Sequence, residues 1–156
     1  MFDIKRWFAA RQRRRPDDDV GWAAVALDEG RPEEALAALD KALAGDLTPE
    51  RRAFGLNKRG VALIALGRRD DARAAFTEAL AAVERCAPPL VNLGNLLLED
   101  GDVEGAIESY RAAIRADESY PMAYLNLGVA LKRAGRRAEA VRSLRTGHRL
   151  EMRRPP

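Results

Sequence analysis

Three glycines, Gly60, Gly94 and Gly128, stand 34 residues apart, and Gly67, Gly101 and Gly135 keep the same interval seven residues further on. Five residues after each of the second set comes an alanine, at Ala72, Ala106 and Ala140. A large residue follows at Phe76, Tyr110 and Leu144, and then a small one at Ala79, Ala113 and Gly147. A period of this length means one supersecondary unit copied along the chain, because a packing contact recurs only where its residues recur. An earlier copy reads Gly30, Ala35, Leu39 and Ala42, with Gly30 lying 37 rather than 34 residues before Gly67. The chain therefore holds about four units, the first irregular.

Each unit reads as two helices. In "LVNLGNLLLEDG" the residues Leu90, Leu93, Leu97 and Leu98 fall at helical spacing, and Gly101 supplies the left-handed stop. In "DVEGAIESYRAAI" the residues Ala106, Ile107, Tyr110, Ala113 and Ile114 share one helical face. A turn this short permits only an antiparallel hairpin. Gly94 and Ala106 let the two helices approach, and the bulky residues fill the gap between them. The three extra residues fall in "AGDLTPERR", where Thr48 and Pro49 read as an N-cap and a first-turn proline, so the next helix starts early.

This skeleton and its period resemble the tetratricopeptide repeat over roughly residues 17 to 152. The resemblance implies an all-α, right-handed α-solenoid of about four helix-turn-helix units, with an amphipathic helix before it. The boundaries are about 16–48, 53–86, 87–120 and 121–152, preceded by a basic segment (1–15) and followed by a basic tail (153–156). The first unit departs from the pattern with Trp22 and Ala23 where the others approach their glycine, and the fourth has Met152 in place of a closing proline.

In such solenoids the first helices line a concave groove that grips peptides or helices. The groove positions implied are Phe54, Asn57, Val61 and Ile64 in the second unit and Val91, Asn95 and Leu98 in the third. The fourth supplies Met122, Leu125, Val129, Lys132 and Arg133. Most are apolar, which suits an amphipathic helix or extended segment held by spaced anchors. One subclass of the family clamps a C-terminal carboxylate with Lys, Asn and Arg. Val61, Val91, Leu125 and Val129 stand where several of those polar residues would be, so that activity is not expected. Asn92 and Asn126, beside the glycines, read as structural.

The net charge of +3 hides an asymmetry: residues 1–15 carry +5, residues 132–156 carry +7, and the stretch between them carries −9. In the first segment Ile4, Trp7 and Phe8 gather on one helical side with cations largely elsewhere. It reads as an interfacial helix on an anionic membrane surface, as an anchor into a partner, or as a cap on its own solenoid. On the last helix Arg142, Arg145 and Arg149 recur at helical spacing. Their stems cover apolar surface, or they dock an acidic protein face or phosphate groups. No ring other than His148 lies nearby in the last thirty or so residues, which argues against nucleic acid, since single-strand readout interleaves rings with cations.

Nothing in the sequence assembles a catalytic or cofactor site, so neither an enzyme nor a cofactor is expected. His148, the sole histidine, has no second ligand at metal spacing. Cys86, the sole cysteine, reads as a packed thiol rather than a nucleophile. The pairs Glu33–Glu34 and Asp70–Asp71 stand at second-helix starts, where the helix dipole favours them. No apolar run reaches the roughly 18 residues that span a bilayer, and residues 1–19 lack a secretory core. The expectation is a cytoplasmic scaffold, adaptor or accessory subunit with a protein or peptide partner. A peripheral membrane protein is the alternative, and self-association is left open.

Overall fold

The computed structural model describes residues 18–153. They form eight helices: α1 (Asp19–Asp28), α2 (Pro32–Leu43), α3 (Pro49–Ala65), α4 (Arg69–Ala82), α5 (Ala87–Glu99), α6 (Val103–Ala116), α7 (Pro121–Arg133) and α8 (Arg137–Met152). Consecutive helices pair as four antiparallel hairpins, and each second helix also packs on the first helix of the next hairpin. This is the all-α arrangement of stacked helix-turn-helix units that the 34-residue period requires.

The turn inside every hairpin is built the same way. Gly30, Gly67, Gly101 and Gly135 have φ between 72° and 88°. At each, the glycine N–H donates three residues back and the following N–H donates five back, as in Gly67 to Ile64 O and Arg68 to Leu63 O at 3.0 and 2.8 Å. This closes the helix by a Schellman motif, which needs a residue free of the Cβ penalty at positive φ. The chain then restarts in the opposite direction after one residue. Arg31, Arg68 and Arg136 flank the second helices and pair with Glu34, Asp71 and Glu139 three residues on. In the third hairpin Asp102 takes that place and caps α6 directly, accepting from Gly105 N–H at 2.9 Å.

Glycine is needed in α5 for another reason. A Cβ at Gly94 would lie 2.6 Å from the Tyr110 ring, and one at Gly128 would lie 2.6 Å from Leu144. The periodic large residue of each second helix therefore rests on bare backbone of the first. In the opening hairpin Ala23 and Leu39 are fully buried in one cluster instead. The irregular junction after it is also explained. Thr48 accepts from Arg51 N–H at 3.3 Å and Pro49 opens α3, which runs 17 residues against 13 in α5 and α7.

Leu96 is the most deeply buried leucine of α5, although the apolar stripe drawn for a single hairpin runs through Leu90, Leu93, Leu97 and Leu98. It is 2% exposed and packs with Phe76 and Leu63 of the preceding unit. Its role comes from stacking, so a reading of one hairpin alone misses it.

Candidate functional site

The first helices α3, α5 and α7 carry the positions assigned to the groove, and the structure divides them into two kinds. Phe54, Ile64, Met122 and Val129 are exposed, at 41%, 39%, 41% and 45%. Lys132 and Arg133 are exposed as well. Val61 and Ile64 share a shallow pocket of about 140 Å³ with Asn92, Asn95, Leu96 and Glu99, between α3 and α5. Of these side chains, Phe54, Val61, Ile64, Met122, Val129 and Lys132 are available to a partner.

The remaining positions are committed within the solenoid. Val91 and Leu98 are buried. Leu125 is partly buried and lies where a Cβ on Gly147 would meet it at 2.7 Å. Asn57, 8% exposed, accepts from Asn92 Nδ2 at 2.9 Å and so joins α3 to α5. Asn95 Oδ1 accepts from Asn126 Nδ2 and from the Tyr110 hydroxyl, both at 2.8 Å. Arg133 reaches back, its Nη1 donating to Leu98 O at 3.2 Å near the end of α5. A cation among the unsatisfied carbonyls of a helix C-terminus is favourably placed.

Burial pushes the Tyr110 phenol up to about 12. It stays neutral across the ordinary pH range and donates its proton to Asn95, which in turn accepts from the next unit. The asparagines beside the glycines thus make the inter-unit bonds. A second periodic link is absent from the sequence reading. Ser109 Oγ donates to Leu90 O and Ser143 Oγ donates to Tyr124 O, both at 2.8 Å. Donors and acceptors are each spaced by 34 residues, so the period that revealed the glycines also marks these serines.

From α4, Arg69 pairs with Glu99 at the end of α5 and with Asp100, and Arg73 pairs with Asp100, across the junction of the second and third units. Such exposed pairs contribute little individually and fix register between units. On α8 the side chains of Arg142, Arg145 and Arg149 are all exposed, the last two beside His148, Met152 and Arg153. Cys86 precedes α5, partly buried, and burial pushes its thiol up, away from the reactive thiolate. Among the described residues no three His, Cys, Asp or Glu side chains group as metal ligands would. Ile4, Trp7 and Phe8 lie outside the described residues.

Known proteins share this architecture. A family profile described as "Tetratricopeptide repeat" matches residues 20–85, and one described as "TPR repeat" matches residues 94–135. Among solved structures, that of MamA is 25% identical, with 86% of this chain and 77% of that chain covered and a TM-score of 0.70. That of Pseudomonas aeruginosa pilF is 26% identical over 88% of this chain and 61% of that one, with a TM-score of 0.75. The second TPR of Spaghetti (RPAP3), bound to the HSP90 peptide SRMEEVD, is 26% identical over 65% of this chain and 94% of that one, with a TM-score of 0.60. Hairpins closed on left-handed glycines, large residues seated on helix backbone and two profile matches together make this chain a tetratricopeptide-repeat protein.

Proposed function

We propose that the protein is a non-catalytic scaffold or adaptor, an accessory subunit or assembly factor of a larger complex, that holds a helix or extended segment of a partner along its first helices. Tetratricopeptide-repeat proteins mediate protein–protein interactions. The observation carrying this reading is the distribution of exposed apolar side chains. Away from the two ends of the stack, the large ones among the described residues are Phe54, Ile64, Met122 and Val129, all on α3 and α7. An amphipathic segment crossing α5 would meet one anchor pair on each side, as spaced-anchor recognition requires.

The RPAP3 repeat holds a peptide ending in EEVD. Here Val61, Val91, Leu125 and Val129 occupy positions that a carboxylate clamp would fill with polar groups, which favours an apolar partner segment. No helix among the described residues is long and apolar enough to cross a membrane, and this reading places the protein in the cytoplasm. The test is affinity recovery of the tagged full chain from its native cells beside a Phe54→Glu/Met122→Glu variant. Both changes fall on exposed positions, so the melting temperature should hold. A stoichiometric complex recovered by the first and lost by the second is the expected result. The same partners recovered by both chains would remove the groove from the function.

A further inference from the structure

The last helix carries on its outer face the register of an inter-unit contact. On α6 the stripe Val103, Ile107 and Ile114 belongs to the cluster that takes in Ala123, Leu127 and Ala130 of α7, and Ile107 is wholly buried. Its counterparts 34 residues on are Arg137, Val141 and His148 of α8. All three are exposed, Val141 at 46%, and Met152 one turn further along is 88% exposed. The stripe keeps apolar side chains but has become cationic.

The interior of the stack shows what such cations meet when an element follows them. Arg69 opens α4 two periods before Arg137 opens α8, and it pairs with Glu99 and Asp100 at the C-terminal end of α5. Leu96, three residues before Glu99, packs there with Ala72 and Phe76, whose counterparts on α8 are Ala140 and Leu144. Arg111 of α6, the counterpart of Arg145, reaches Glu139 of the next unit at 3.7 Å. Each arginine thus takes a carboxylate from the unit stacked on its own. At the junction of α6 and α7 the arginine is replaced by Val103, and α7 ends in Lys132 and Arg133, so both sides change together. On α8 the side chains of Arg137, Arg142, Arg145 and Arg149 have no carboxylate within ion-pair distance among the described residues. The two acids of that helix are engaged, Glu139 by Arg136 and Arg111, and Glu151 beside His148.

We propose that the outer face of α8 docks an acidic amphipathic helix of a partner protein, running antiparallel to α8 as α5 runs to α4. An apolar residue of that helix rests over Val141 and Leu144, and a pair of carboxylates in its last turn meets Arg137. Exposed ion pairs contribute little singly, so the apolar contact supplies the affinity and the carboxylates fix the orientation. A second copy of α8 would set arginines against arginines. A lipid headgroup would satisfy the guanidinium groups one by one, but Arg137, Val141 and Arg145 stand in the register that accepts a helix inside the stack. This docking is independent of the groove on the first helices.

The test titrates the isotope-labelled full chain with a synthetic amphipathic helical peptide that has a leucine stripe and a Glu-Asp pair in its last turn, followed by amide shifts in nuclear magnetic resonance. Saturable shifts should fall on α8 around Val141, Arg145 and His148. A peptide with Gln-Asn for the acidic pair, and another with serines for the leucines, should each bind about tenfold more weakly. Arg137→Glu/Arg145→Glu, at two exposed positions, should weaken the acidic peptide to the same degree with the far-ultraviolet circular dichroism retained. Phe54→Glu/Met122→Glu should leave the titration unchanged. Shifts on α3 and α7 instead, no saturable shift, or equal binding by either control peptide overturns the proposal. So does retention on phosphatidylserine vesicles that the charge reversal abolishes, because the face then reads lipid phosphate. A dimer in light scattering that the same variant dissolves overturns it too, since the occupant is then a second copy.

Discussion

In the third hairpin Gly94 brings the backbone of α5 against the Tyr110 ring, whereas in the first hairpin the corresponding pair, Ala23 and Leu39, is buried together with a leucine in the place of the ring. Volume has been traded between facing positions: a larger residue on one helix requires a smaller one on the other. The trade has a second effect. Tyr110 carries a hydroxyl to Asn95, and Asn95 bonds Asn126 of the following unit, so the packing residue of one hairpin also takes part in the joint to the next. The first hairpin has no such hydroxyl. It is joined instead by Arg52, which donates to Leu43 O and Gly45 O, and by the Arg59–Asp40 pair. A shared hairpin plan is thus compatible with quite different joints.

The largest expected effect contrasts interior and end. Ile107 is wholly buried, while Val141, its counterpart 34 residues on, is 46% exposed because no described unit follows. Ile107→Ala should cost about 2–5 kcal/mol in urea unfolding, and Val141→Ala should stay within about 0.5 kcal/mol. Equal costs would mean that the C-terminal face is covered in solution.

Next comes the glycine seat. Gly94→Ala should destabilise by about 1–3 kcal/mol, since the ring cannot retreat freely. Adding Tyr110→Leu, which gives the third hairpin the chemistry of the first, should recover part of that loss. A double variant whose cost is the simple sum of the single ones would refute the coupling.

Smallest is the hydroxyl. Tyr110→Phe should cost about 1 kcal/mol near neutral pH. The Tyr110 phenol is raised above its ordinary value of 10.0 to about 12 when folded, so its contribution is complete below about pH 10 and is lost as pH rises toward 12. Wild type should therefore lose more stability than Tyr110→Phe across that interval. Parallel curves would show that the phenol titrates alike in both states.

Much of this was legible in the chain. The left-handed glycines, the paired helices and the early start of α3 at Thr48 follow from local rules, because each depends on residues within one or two turns of each other. The division of the groove positions did not follow. Leu98 shares the register of Ile64, and Asn95 that of Val129, each pair 34 residues apart, and only contacts with neighbouring helices or units withdraw Leu98 and Asn95 from solvent. Leu96 escaped notice for the same reason.

By itself, then, the sequence determined the unit, its period and its turn, since backbone stereochemistry and the volume of facing residues act over short separations. The tertiary structure alone decided which side chains remain available to a partner. Exposure depends on what the neighbouring unit covers, and identical register positions at the middle and the ends of a stack have different neighbours.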